Sequence, residues 1–190
     1  MTNSMPDRTK VGVGLFILSE VGFFGVLVIS YIYFYMLPSH GPGAASSLNV
    51  VRTLFFSICL FLSSATIYMA GRSFRLGTPS AVGMWLAVTV LLGGVFIAGQ
   101  AVEYYGLLER GITLSTNLFG TTFFTLTGFH GLHVLVGLCA LGTLLGVTIS
   151  GRLPNINSSG FEAVSMYWHF VDAVWVVIFS VVYLWPLMGR

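Results

Sequence analysis

NLFGTTFFTLTGFHGLHVLVGLCALGTLLGVTI, residues 117–149, runs for 33 positions without a Lys, Arg, Asp or Glu. A helix needs about 20 mostly apolar residues to cross the hydrocarbon core of a bilayer, so this stretch is long enough to span one. Yet it contains His130 and His133. An ionisable side chain at the bilayer centre costs about 2.5–3.5 kcal/mol on insertion scales. A spanning helix that keeps such groups is expected to use them or to pair them.

Four more windows have the same apolar character, at about 11–37, 50–71, 81–104 and 163–187. Glu20 sits within the first, and His169 and Asp172 within the last. The chain is 56% hydrophobic and 7% charged, where a soluble domain carries about 25% charged residues. Its mean hydropathy is +0.91. These features predict an all-α integral membrane protein: a bundle of five transmembrane helices in a single domain over 1–190. The connections Pro38–Asn49, Arg72–Ser80, Tyr105–Thr116 and Ser150–Glu162 are short and rich in turn residues. None could hold a soluble domain. Strict alternation is absent, which argues against a membrane barrel. The first run lacks a small-residue cleavage site and is too long for a signal-peptide core, so it is expected to remain as a helix.

Net charge is +2, with no basic cluster and no zinc-finger spacing, which gives no support to nucleic-acid binding. Cys59 and Cys139 fall in apolar runs without a CxxC pattern and read as small packing residues. With five spans, one side of the membrane carries Arg8, Lys10, Arg72, Arg75 and Arg152, and the other carries Arg52, Arg110 and Arg190. This bias favours a cytoplasmic N-terminus and an external C-terminus.

The polar groups within the spans admit three readings. His130 and His133 are three apart, as are His169 and Asp172, so each pair lies near one helix face. They could hydrogen-bond and fix helix register. They could meet Glu20 in the inner half of the bundle, where a carboxylate near a His would exchange protons with the inner surface: Glu20, His169 and Asp172 each lie about 10–14 Å into their helices and His133 lies near mid-membrane. They could also supply metal or haem ligands, although carboxylate-bridged metal bundles use several deep Glu residues and only Glu20 is deep here.

At the margins, Arg72 and Arg75 follow the second window and are expected to meet lipid phosphates. Glu103 and Glu109 read as solvated interface charges, with Glu103 alternatively capping a helix or bridging to a partner subunit. Glu162 precedes the fifth window, where a helix dipole favours an acid. Trp168, Trp175, Trp185, Tyr167 and Tyr183 fit interfacial anchoring and core packing. Gly120, Gly128, Gly131, Gly137, Gly142 and Gly146 suggest close helix approach along the fourth span.

Several strings, in this order, resemble a known family. They are Ser19-Glu20-Val21-Gly22-Phe23-Phe24, Glu103-Tyr104-Tyr105, Gly120-Thr121-Thr122-Phe123-Phe124, the run from Thr127 to His133, and the run from Tyr167 to Trp175. From about Gly14 to Pro186 the chain resembles subunit III of the haem–copper oxidases, cytochrome c oxidase type, in its short five-helix bacterial form. The resemblance implies a non-catalytic subunit that itself binds no haem, copper or other metal. Haem and copper would lie in partner subunits of an enzyme that reduces oxygen to water and pumps protons. It further implies contact with subunit I and subunit II, bound phospholipid, a bacterial plasma-membrane location and room for a respiratory supercomplex.

The same resemblance makes Glu20 the family's intramembrane carboxylate and His133 its first-choice partner. His130, Trp168, His169 and Asp172 match the family's other polar positions. The role implied is support of proton uptake by subunit I and of its stability. Longer members carry two further N-terminal helices that enclose lipid, so a closed lipid cleft within this chain is not expected. Within the family the alternatives are a quinol oxidase subunit or an accessory subunit of nitric oxide reductase. Outside it, the alternative is a small proton-coupled transporter, for which inverted repeats or broken helices would be the sequence sign.

Overall fold

Local sequence sets where each helix begins and ends. The computed structural model describes residues 8–37, 48–152 and 158–188. The helices are α1 (Arg8–Met36), α2 (Val50–Arg75), α3 (Pro79–Glu109), α4 (Leu118–Ile149) and α5 (Ser158–Phe179). α5 continues through a wider π-helical turn, Ser180–Leu184, into a last helical turn, Trp185–Met188. Pro186 has no N–H to give the carbonyl four residues back, and a widened turn just before it accommodates that loss. No strand occurs among the described residues. Five helices are long and apolar enough to cross a membrane, and the protein is an all-α integral membrane bundle.

Asn49 caps α2 by accepting from Arg52 N–H at 3.0 Å, and Asn117 caps α4 by accepting from Gly120 N–H at 2.7 Å. α3 opens with Pro79 in its first turn, a position where the missing N–H has no intrahelical use. Gly77 and Gly111, at φ 68° and 74°, stop α2 and α3. Each sits one residue beyond the helix cap, where the left-handed conformation turns the chain so that the next N–H closes on the helix end. Those closures are Thr78 N–H to Ser73 O at 3.1 Å and Ile112 N–H to Leu107 O at 3.0 Å.

Four helices outrun the apolar windows. α1 starts at Arg8, α2 reaches Arg75, α3 spans Pro79 to Glu109, and α5 starts at Ser158. Helical hydrogen bonding continues into the polar headgroup zone, so a hydropathy window reports the hydrocarbon-spanning part and not the helix. Glu162 therefore lies inside α5 and not before it, and it pairs with Lys10 at the start of α1. Pro38, which opens the first connection, and Arg190 lie outside the described residues.

α5 is the central element. Half of its apolar window is buried, against 6% for α1, and it packs on α1, α2 and α4. α2 and α3 form the most extensive pairing, α3 packs on α4, and α1 packs on α4 and α5. Lipid tails are as apolar as the helices, so packing and interhelical hydrogen bonds hold such a bundle. Trp168 and Trp175 on α5 show both. Each is fully buried, and their indole N–H groups donate to Ser63 Oγ at 2.9 Å and Ser57 Oγ at 2.8 Å. The two serines donate in turn to carbonyls of their own helix, Leu60 O and Thr53 O. Of the two places its sequence allowed, interface and core, Trp168 takes the core, where its N–H has a partner on α2.

Small residues make room for these rings. A Cβ on Gly137 would lie 2.7 Å from the Trp168 ring, and one on Gly93 would lie 2.8 Å from it. On α4 the approach of another helix holds for Gly137, and Gly120 instead lies against Thr113 O of the preceding loop, whereas Gly131, Gly142 and Gly146 have nothing among the described residues within 4 Å of an added Cβ. The expectation of tight packing along every α4 glycine is corrected accordingly.

Candidate functional site, an acid–imidazole pair within the membrane

Glu20 lies 12 residues into α1, about 18 Å along its axis. Its Oε2 is 3.1 Å from His133 Nε2 on α4. The two side chains are 18% and 15% exposed, so the pair is enclosed without being sealed. His133 Nδ1 is 2.8 Å from Phe129 O, one turn back on its own helix. A carbonyl oxygen can only accept, so Nδ1 carries a hydrogen. Nε2 and Oε2 then share one proton, either as imidazolium and carboxylate or as imidazole and carboxylic acid. Both forms are neutral overall, which is how two titratable groups can sit at this depth.

The surroundings fix the imidazole. The Phe24 ring meets it edge-on with centroids 4.9 Å apart, and Tyr167 O–H donates to His133 O at 3.1 Å. Phe24 is 3% exposed. α1, α4 and α5 therefore each contribute to this one site.

The other expected members do not join it. His130 is 1% exposed and stacks on Trp175 at 5.0 Å, with Phe96 edge-on at 6.0 Å. Neither of its ring nitrogens has a hydrogen-bond partner among the described residues. Residues three apart on a helix differ by about 60° around the axis, which sends His133 towards α1 and His130 into the aromatic core. His169 and Asp172 form a separate cluster through Ser64 on α2. Ser64 Oγ is 2.9 Å from His169 Nδ1 and donates to Asp172 Oδ2. The single network expected from depth alone is thus divided.

Glu103 is 3% exposed, so the reading as a solvated interface charge is corrected. Arg52 Nη2 donates to its Oε2 at 2.8 Å and Asn49 N–H to its Oε1 at 3.3 Å. The acid ties α3 to the start of α2 within this chain. It also borders a cavity of about 540 Å³ lined in part by Asn49, Arg52, Glu109 and Arg110. Arg72 and Arg75 are exposed in the last turn of α2.

Arg52, Ser57, Ser63 and Ser64 had no site role in the sequence reading. The available signal was the serines themselves, since a hydroxyl inside an apolar span needs a partner.

Among the described residues, no group of three or more His, Cys, Asp or Glu is placed to hold a metal ion. His133 has both nitrogens engaged, His169 has one engaged, and aromatic rings enclose His130.

Fold and site together define a helical integral membrane protein in which an acid and an imidazole pair between two of its spans. A family profile described as Cytochrome c oxidase subunit III matches residues 1–187. Cytochrome c oxidase subunit 3 of Synechocystis is 38% identical over 181 residues, covering 94% of this chain and 76% of the relative. That of Corynebacterium diphtheriae is 34% identical over 184 residues, covering 94% and 88%. A probable cytochrome c oxidase subunit 3 of Mycobacterium tuberculosis is 34% identical over 181 residues, with the same coverage of 94% and 88%. The chain belongs to the cytochrome c oxidase subunit III family of the haem–copper oxidases.

Proposed function

We propose that this chain is the non-catalytic subunit III of a cytochrome c oxidase in a bacterial plasma membrane, and that the Glu20–His133 pair supports proton uptake by subunit I and its stability during turnover. Its N-terminus is cytoplasmic and its C-terminus external, and its five spans act as one domain. Subunits I and II are its partners. Haem and copper sit in those partners, where oxygen is reduced to water with proton pumping. The relatives' names, each a cytochrome c oxidase subunit 3, favour cytochrome c as electron donor over a quinol.

The observation that carries the proton role is the 3.1 Å contact between Nε2 and Oε2, with Nδ1 already committed to Phe129 O. A shared proton in a partly accessible, net-neutral pair can exchange without leaving a bare charge in lipid. Phospholipid is proposed in the apolar groove between α1 and α5, about 370 Å³ and bordered by Val28, Ile29, Phe170 and Val177. Arg72 and Arg75 meet headgroup phosphates.

Purification through a tag on this chain tests the assignment. The expected result is co-purification with haem-bearing subunits, and an unchanged haem spectrum in the assembled Glu20→Ala complex. A chain that purifies alone and carries proton flux in vesicles would contradict it and favour a transporter.

A further inference from the structure

Tyr167 is the α5 side chain that reaches the Glu20–His133 pair. Its hydroxyl donates to His133 O at 3.1 Å. Its ring lies 6.2 Å from that of Phe16, one turn before Glu20 on α1. Gly137 makes this approach possible, since a Cβ there would lie 3.3 Å from Tyr167 Cε1. Half-buried at this junction of α1, α4 and α5, the hydroxyl is also within electrostatic reach of the Glu20 carboxylate.

The bonding of His133 gives that hydroxyl a task. Phe129 O keeps a hydrogen on Nδ1. While the pair holds its shared proton, Nε2 and Oε2 bond through it. Once that proton leaves, Nε2 is a bare lone pair facing a carboxylate. Two acceptors then oppose each other, and Glu20 needs a donor from elsewhere. Acyl chains offer none. The Ser19 hydroxyl is committed to Phe16 O at 2.7 Å. His130, the other imidazole of α4, is enclosed by Phe24, Phe96 and Trp175. Lys10 pairs with Glu162, about 15 Å from Glu20 along α1. His169 and Asp172 turn to Ser64 on α2. Tyr167 O–H is the donor that remains among these groups. Its present acceptor, His133 O, lies inside α4 and keeps the helical N–H four residues on, so releasing it leaves no bare carbonyl.

We propose that Tyr167 is a positioning residue for proton exchange, its hydroxyl turning from His133 O to the Glu20 carboxylate when the pair gives up its shared proton and turning back when a proton returns. This rests on the proton role proposed for the pair.

The test records infrared pH-difference spectra of the complete oxidase purified from membranes, following the bands that Glu20→Ala removes. Tyr167→Phe keeps the ring and loses the donor, so the carboxylate is less stabilised and proton loss moves to higher pH. The expected shift is about 1 pH unit, the difference between a hydrogen bond to a charged group and one to a carbonyl. A ring-fluorinated tyrosine in place of Tyr167 is a stronger donor of nearly the same shape, and is expected to move the midpoint to lower pH. A midpoint unmoved in Tyr167→Phe overturns the proposal and leaves Tyr167 as a tie between α4 and α5. A shift in Tyr167→Phe with none from the fluorinated ring reports altered packing and overturns it as well. A wild-type complex in which no Glu20-dependent band titrates overturns the proton role, and this proposal with it.

Discussion

His133 holds Glu20 with one imidazole nitrogen while its own helix holds the other: Nε2 lies 3.1 Å from Glu20 Oε2, and Nδ1 lies 2.8 Å from Phe129 O. The ring cannot rotate away without giving up both bonds. The pair thus ties α1 to α4 through a ring whose orientation both contacts set.

The two residues are expected to act as a unit. Glu20→Ala, His133→Ala and the double variant form a cycle whose stabilities in detergent should be non-additive by about 0.5–3 kcal/mol. The double variant should be little less stable than either single one, because each single change leaves a polar group without its partner. Thermal unfolding of the assembled complex measures this; simple additivity would mean that the contact is energetically silent.

A second pair should separate buried from exposed electrostatics. Arg52→Met leaves the buried Glu103 carboxylate without its cation and is expected to destabilise by about 3–5 kcal/mol. Lys10→Ala breaks a pair with Glu162 whose members are 46% and 42% exposed, and should cost no more than about 1 kcal/mol. Denaturation midpoints of the two variants, compared side by side, check the order.

Packing around Trp168 gives a third expectation. Gly137→Ala and Gly93→Ala drive a methyl group into the indole ring and should each cost about 1–3 kcal/mol. Gly142→Ala adds its methyl to open space and should leave stability unchanged. Equal effects at the three positions would contradict the placement of Trp168 in the core.

These contrasts show what could be read from the chain. The five spans followed from composition, because crossing hydrocarbon imposes a length and a polarity that no soluble helix needs. The cost of a lone acid in lipid called for a partner for Glu20, and the family resemblance, not depth, pointed to His133. The Arg52–Glu103 bond and the serine contacts to Trp168 and Trp175 were not accessible, since each depends on which helices become neighbours. Depth brought His130, His133 and His169 together on paper, whereas rotation about the helix axes sent them to three different surroundings.

His130 yields a fourth expectation. Its ring stacks on Trp175, and neither nitrogen is bonded among the described residues. If packing is its role, His130→Phe keeps the stack and removes an undercompensated polar group, so stability should hold or rise by up to about 1–3 kcal/mol. Thermal unfolding of the assembled variant measures it, and a marked loss would show that the imidazole nitrogens have a function.

The most direct test of the central claim is the number of turnovers the oxidase completes before it inactivates, measured for wild type and Glu20→Ala across a range of pH. The account predicts full haem content in both, with Glu20→Ala failing after fewer turnovers and with a rate–pH profile different from that of wild type. Identical lifetimes and identical rates at every pH would contradict a proton role and leave Glu20 as a structural tie between α1 and α4.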